Sequence, residues 1–168
     1  MIHIVLYEPE IPQNTGNIMR TCVATGAILH LIKPLGFKLD EQRIRRSGMD
    51  YIDDLSYFVY ENFDDFKLHH PHDLFYITRY GKRTPYEVDF KAVSGDIYLM
   101  FGKESTGIPK PILQAHLERC LRLPMVKTAR SLNLSNSVAI VIYEVLRQLG
   151  FPDLSAVEFL KGEDWLNQ

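Results

Sequence analysis

Apolar positions change period repeatedly along this chain. Continuous apolar runs at Ile2–Tyr7, Ile28–Ile32, Tyr57–Tyr60, residues 74–78 and Ile97–Phe101 read as buried strands. A sixth, short strand is predicted over residues 121–123, ending at Pro124. Between these runs the spacing turns helical: residues 17–25, stopped by Gly26, a short basic stretch at 41–46, and residues 111–117. The longest predicted helix is Leu134–Leu149, with Leu134, Val138, Val141, Ile142, Val145 and Leu149 on one face. Strands alternating with helices imply an α/β, Rossmann-like layer around a mostly parallel sheet. Ligands of such sheets bind in loops beyond the carboxyl ends of the strands, which is where chemistry belongs here.

Composition narrows this picture. The 168 residues fit one domain, and 46% hydrophobic with 24% charged residues is ordinary globular composition. The longest apolar stretches, such as residues 138–143, fall far short of the roughly 20 residues a membrane span needs. The N-terminus shows no basic leader or small-residue cleavage site, so a soluble cytoplasmic protein is expected. Cys22 and Cys120 make neither a disulfide framework nor a zinc ribbon, and both read as small buried residues. The His69-His70-Pro71-His72 run lacks Cys or acidic partners at ligand spacing and reads as a solvated turn, so no metal is expected. The net charge of −2, from 19 Lys+Arg against 21 Asp+Glu, argues at first sight against a nucleic-acid partner.

Three loops carry more than turn chemistry. The first runs from Glu8 to Arg20 and has one glycine, Gly16, which excludes the G-x-G-x-x-G dinucleotide fingerprint. It offers the Asn14 and Asn17 amides and Arg20 near a helix start. That set suits an anionic or hydroxyl-bearing ligand, or else serves as an N-cap by Asn14 or Thr15 with a solvated Arg20. The second, Phe101-Gly102-Lys103-Glu104-Ser105-Thr106-Gly107, fails as a P-loop, because Ile97 stands where its first glycine belongs and Glu104 follows the lysine. Its two glycines suggest close backbone approach to a flat ligand. The third places Ser131, Asn133, Ser135 and Asn136 at the start of the last helix, more hydroxyls and amides than capping needs.

Together the loops resemble the three signature motifs of the SPOUT class of RNA methyltransferases. Asn14-x-Gly16-Asn17-x-x-Arg20 is similar to the first motif, Phe101-Gly102-x-Glu104-x-x-Gly107 to the second, and Ser131-Leu132-Asn133-Leu134-Ser135-Asn136 to the third. The opening Ile4-Val5-Leu6-Tyr7-Glu8-Pro9-Glu10-Ile11-Pro12 narrows the resemblance to the family that methylates the 2′-hydroxyl of the wobble nucleotide of tRNA. The likeness covers residues 1–152, leaving 153–168 as an acidic C-terminal extension. It implies a C-terminal trefoil knot, a homodimer, and S-adenosylmethionine as cofactor with S-adenosylhomocysteine as product. By carry-over, Ile77, Thr78, Gly102, Leu123, Met125 and Ser131 hold the cofactor. Arg20, Asn14, Glu104, Ser131 and Asn133 match the catalytic positions. Lys103 stands where relatives frequently have proline, and adds a charge beside the pocket. The implied substrate is the anticodon loop, with cytidine or modified uridine at position 34 of leucine tRNAs. The alternatives are another tRNA or ribosomal RNA site, or a non-catalytic RNA-binding protein of the same fold.

The local charge then reads differently. Residues 50–65 hold six acids and no base, and residues 151–168 hold four acids and one lysine, so the rest of the chain is net basic. Within it Arg43, Arg45 and Arg46 form one cluster, Arg79, Lys82 and Arg83 a second, and Arg119, Arg122, Lys127 and Arg130 a third. Phosphate attraction follows local charge, so these are candidate RNA contacts on one face, with an acidic face turned away.

Overall fold

Strands β1 (Ile2–Tyr7), β2 (Ile28–Ile32), β3 (Tyr57–Tyr60), β4 (Leu74–Ile77), β5 (Ile97–Phe101) and β6 (Cys120–Leu121) form one sheet in the order β3-β2-β1-β5-β4-β6. Every strand pairing among the described residues is parallel. The structure is a computed structural model that describes residues 1–39, 52–162 and Trp165. The predicted basic helix at 41–46, with Arg43, Arg45 and Arg46, lies outside those residues.

Helices α1 (Pro12–Thr25), α2 (Phe63–His69), α3 (Lys110–Gln114) and α4 (Leu134–Leu149) cover the two faces. One face packs Ile4, Leu6, Leu29, Leu31, Leu99 and Phe101 against Ile18, Met19 and Cys22 of α1 and Val138, Val141, Ile142 and Val145 of α4. The other packs Val5, Ile32, Tyr76 and Met100 against Phe66 of α2 and Leu113 of α3. Alternate strand residues feed the two cores because strand side chains point to opposite faces in turn. Strands covered on both sides must be apolar throughout, and all five residues of β5 are buried.

Several boundaries differ from the sequence reading. Helix α1 starts five residues before the predicted Asn17: Pro12 opens it, a first-turn position where a missing N–H costs nothing. Helix α2 was not predicted, since it buries only Phe66. The expected helix at 111–117 ends at Gln114 and gives way to a 3₁₀ turn, Leu117–Arg119. Strand β6 is Cys120–Leu121 rather than 121–123, so Leu123 stands beyond it, still buried. Both thiols are buried, and burial pushes Cys22 up to about 12, which suits an inert core residue.

The His69–His72 run is not simply a solvated turn. His70 joins a chain of rings that links β1, β2, β3 and β5. His3 Nδ1 lies 2.8 Å from His30 Nε2, and His30 Nδ1 lies 3.0 Å from the Tyr60 hydroxyl. That hydroxyl is 2.9 Å from His70 Nε2, whose Nδ1 is 3.1 Å from the Tyr98 hydroxyl. His3 and His30 are buried, and burial lowers the pKa of all three imidazoles, His30 to about 3.

Candidate active site

Sheet register builds the site. Leu6 and Ile77 both pair with Phe101, and Tyr7 pairs with Ile32, so β1, β2, β4 and β5 end level. After β1 the chain moves outward to β2 and β3, whereas β4 and β6 lie beyond β5 on the other side. Loops leaving β1 and β5 therefore diverge and open a crevice, the usual ligand position of such sheets. A cavity of about 650 Å³ occupies it. Ile77 and Thr78 line it from the end of β4, Gly102 from the end of β5, and Leu123, Met125 and Ser131 from the segment joining β6 to α4. Asn14, Glu104 and Asn133 line it as well. Sequence reasoning did not single out Tyr80 and Leu132, which also line the cavity; an exposed tyrosine in a polar loop gave no signal.

Hydrogen bonds join the three motif loops into one frame. Asn14 Nδ2 donates to Glu104 Oε1 at 3.0 Å, and Asn133 Nδ2 donates to Asn14 Oδ1 at 2.9 Å. Asn133 Oδ1 in turn accepts from Ser135 N at 2.9 Å and Ser135 Oγ at 2.7 Å, which caps α4. Glu104 also accepts from the backbone N–H groups of Glu10, at 2.8 Å, and Ile11, at 3.3 Å. Helix α1 begins after Ile11, whose side chain cannot cap, and its first turn holds no acid. Glu104, from a loop 90 residues downstream of Asn14, supplies both the acceptor and the negative charge that a helix start favours. The expected N-cap at Asn14 or Thr15 is thus replaced by a residue from another loop.

The clamp is reciprocal. Glu10 Oε2 accepts from Ser105 N and Glu10 Oε1 from Ser105 Oγ, both at 2.8 Å, and these bonds hold the Glu10 carboxyl below the usual carboxylate range. Lys103 Nζ pairs with Glu8 Oε2 at 2.7 Å, which raises the lysine's pKa and matches its charge. Glu8 itself sits at φ 46, a left-handed conformation rare for a side-chain-bearing residue. Gly102 makes a close approach to the chain itself: a Cβ there would lie 2.2 Å from Gly107 C and Ile108 N.

Glu104→Ala should therefore destabilise the whole domain. It strips three donors of a charged acceptor, at roughly 1.5–3 kcal/mol for a charge-assisted bond in a half-buried place. A net cost of about 3 kcal/mol corresponds to a melting temperature lower by roughly 6–12 °C for a chain of this size. A thermal melt unchanged within about 2 °C would show that the loop does not need this carboxylate.

Comparison with known proteins places this frame. Residues 1–143 match the SpoU rRNA Methylase family. The tRNA (cytidine(34)-2′-O)-methyltransferase of Escherichia coli (strain K12) is 47% identical over 154 residues, covering 90% of this chain and 96% of that protein. A structure solved to explain the 2-OH methylation of C/U34 on tRNA is 40% identical, with TM-score 0.81, over 89% of this chain and 97% of its own. The chain belongs to the tRNA (cytidine(34)-2′-O)-methyltransferases of the SpoU family. The SpoU methyltransferase AviRb from Streptomyces viridochromogenes, in complex with AdoMet, shares the fold at 21% identity and TM-score 0.68, over 88% of this chain and 57% of its own.

The remaining positions of this methyltransferase are distributed unevenly around the cavity. Ser131 lines it, but Arg20 does not: Arg20 is exposed on α1, six residues past Asn14, about 9 Å along the helix. Among the basic clusters, Arg79, Lys82, Lys127 and Arg130 are exposed on loops after β4 and β6. Arg122 and Arg119 are engaged internally: Arg122 Nη1 donates to the Arg79 carbonyl, and Arg119 Nη2 pairs with Asp73 at 2.7 Å. Arg83 Nη2 donates to the Glu87 carbonyl at 3.1 Å. Asp53, Asp54, Glu61, Asp64 and Asp65 cluster around β3, at the opposite edge of the sheet from β4 and β6. Among the described residues no helix is long and apolar enough to cross a membrane, and no group of three His, Cys, Asp or Glu is arranged to hold a metal.

Proposed function

We propose that this chain is a cytoplasmic, homodimeric enzyme that methylates the ribose 2′-hydroxyl of nucleotide 34 of tRNA, cytidine or a modified uridine, in leucine tRNAs. The observation that carries it is the cavity where Ile77, Thr78, Gly102, Leu123, Met125 and Ser131 converge between loops that Glu104 and Asn133 tie together. S-adenosylmethionine, when bound, supplies a methyl group on a positively charged sulfur. The cavity's size lies within the range of small-molecule sites, and its lining mixes apolar side chains with the Thr78 and Ser131 hydroxyls, as adenine and a polar amino-acid moiety require. Ile77, Leu123 and Met125 would supply the apolar walls. Residues 1–152 would form the catalytic domain. A trefoil knot in the C-terminal part is what membership of the SpoU family supports.

Asn14, Glu104 and Asn133 satisfy one another, so their part is to hold the loops in register rather than to exchange protons. A guanidinium offers hydrogen-bond donors and no acceptor, so the part open to Arg20 is to hold negative charge rather than to take a proton. Its exposed place on α1 suits contact with RNA lying across two subunits, where it would hold a phosphate and stabilise the developing alkoxide. Arg20→Ala should keep S-adenosylhomocysteine binding in calorimetry while turnover falls by about 100-fold or more. Loss of both together would make Arg20 a structural residue. The function itself is tested by nucleoside mass spectrometry of tRNA from cells with and without the gene. Disappearance of 2′-O-methylation at position 34 is expected on deletion, and an unchanged level in both strains would overturn the reading.

A further inference from the structure

We infer that Tyr80 is a stacking platform for a nucleobase beside the methyl-accepting ribose, an inference that rests on the proposed wobble methylation. Tyr80 lines the cavity yet is 72% exposed, so its ring stands at the lip and not in the depth. The loop that bears it is anchored on both sides. Thr78 N donates to the Leu121 carbonyl at 2.9 Å before it, and the Arg83 carbonyl accepts from Arg122 N at 2.8 Å after it. Between them Gly81 presses so closely on β6 that a Cβ would lie 2.6 Å from Leu121 C, and Tyr80 N donates to Thr78 Oγ1 at 3.3 Å. An aromatic ring is thereby held out into water by a backbone that has little freedom to fold it back.

Its neighbours identify the ligand class. The Arg79 guanidinium lies 5.6 Å from the ring centroid, within cation–π range, and Lys82 and Arg83 follow two and three residues on. A ring flanked by cations matches how single-stranded RNA is held, with bases on aromatic faces and phosphates on basic groups. Stacking reads no base edge, so one platform accepts different pyrimidines. The cofactor's adenine is the competing occupant, but a buried small ligand loses most of its surface to the protein. A ring this exposed encloses nothing.

Methyl transfer to a synthetic anticodon stem-loop with cytidine at position 34 tests this, using wild type, Tyr80→Ala and Tyr80→Phe alongside S-adenosylhomocysteine calorimetry. Tyr80→Ala is expected to raise the KM for the stem-loop by about 5-fold to 150-fold, the range of one base–aromatic stack. Tyr80→Phe restores the wild-type KM, and S-adenosylhomocysteine affinity is the same in all three. A tenfold loss of S-adenosylhomocysteine affinity in Tyr80→Ala would overturn the inference in favour of adenine. An unchanged KM in Tyr80→Ala, with active wild type, would overturn it alone. Should wild type bind S-adenosylhomocysteine but leave the stem-loop unmethylated, the wobble assignment falls and Tyr80's role falls with it.

Discussion

Replacing Gly102 with alanine is expected to disable the enzyme and loosen its fold together. The added methyl would stand 2.2 Å from Gly107 C and Ile108 N and 2.6 Å from Gly107 Cα, all of them backbone atoms. No rotamer change relieves such a contact, so the 103–107 turn must move. That turn is closed by the Gly107 N–H donating to the Lys103 carbonyl at 2.9 Å, with Gly107 at φ +75. Moving it displaces Glu104, and with Glu104 the start of α1 and the Asn14–Asn133 link. Overpacking costs about 1–3 kcal/mol where the core can adjust, and the coupled loss of loop hydrogen bonds puts Gly102→Ala at the upper end. The melt should fall by roughly 6 °C or more. S-adenosylhomocysteine affinity should fall beyond detection, because the same turn lines the cavity. Wild-type affinity in calorimetry would show that the loop tolerates the methyl group and that Gly102 serves no close approach.

Mild acid should destabilise this protein well before its carboxylates titrate. His30 has a folded pKa of about 3 against an ordinary value of 6.5, because burial opposes its charge and His3 and His70 would repel it. Its pKa is lowered on folding, so the unfolded chain binds the proton first. Stability is therefore full above pH 6.5 and is lost as the pH falls from 6.5 toward 3. His3 and His70 move in the same direction, with Asp96 partly opposing the change at His3. The groups facing the network are Asp96 and the Met1 amino group at β1, Tyr60 from β3, His69 and Lys67 from α2, and His72 and Tyr98 beyond it. From His30 alone, unfolding free energy should be about 2 kcal/mol lower at pH 5 than at pH 7, since each tenfold rise in proton activity below the unfolded pKa costs the folded state about 1.4 kcal/mol. Urea titrations at the two pH values measure this. Equal midpoints and slopes would mean that the network already carries a proton at pH 7.

The residue pattern showed most clearly those elements that are apolar throughout. Strands β1, β2 and β5 and helix α4 begin and end where the pattern put them, because burial on a sheet's two faces or along one helix stripe dictates their apolar positions. Strand β3 also keeps its expected bounds, although Phe58 and Val59 are exposed at the sheet edge. Elements that rest on one buried residue, such as α2 with Phe66, leave no such trace. The start of α1 was equally hidden, since its cap is Glu104, far away in sequence. His30 looked like part of an apolar strand and His70 like part of a polar turn. Only their meeting with Tyr60 turns them into one buried network.

The order of apolar and polar residues thus contained the α/β class, the parallel sheet and the three loops that carry the motifs, all local or periodic properties of the chain. What folding alone decided is how those loops are used. Parallel register brings the ends of β1, β4 and β5 level, and the reversal of strand order beside β1 opens the cavity between them. Asn14 and Asn133, 119 residues apart, become one hydrogen-bonded pair, and one acidic cluster comes to lie around β3, at the opposite edge of the sheet from β4 and β6. Such long-range pairings depend on which strands lie side by side, and no local period in the chain encodes that order.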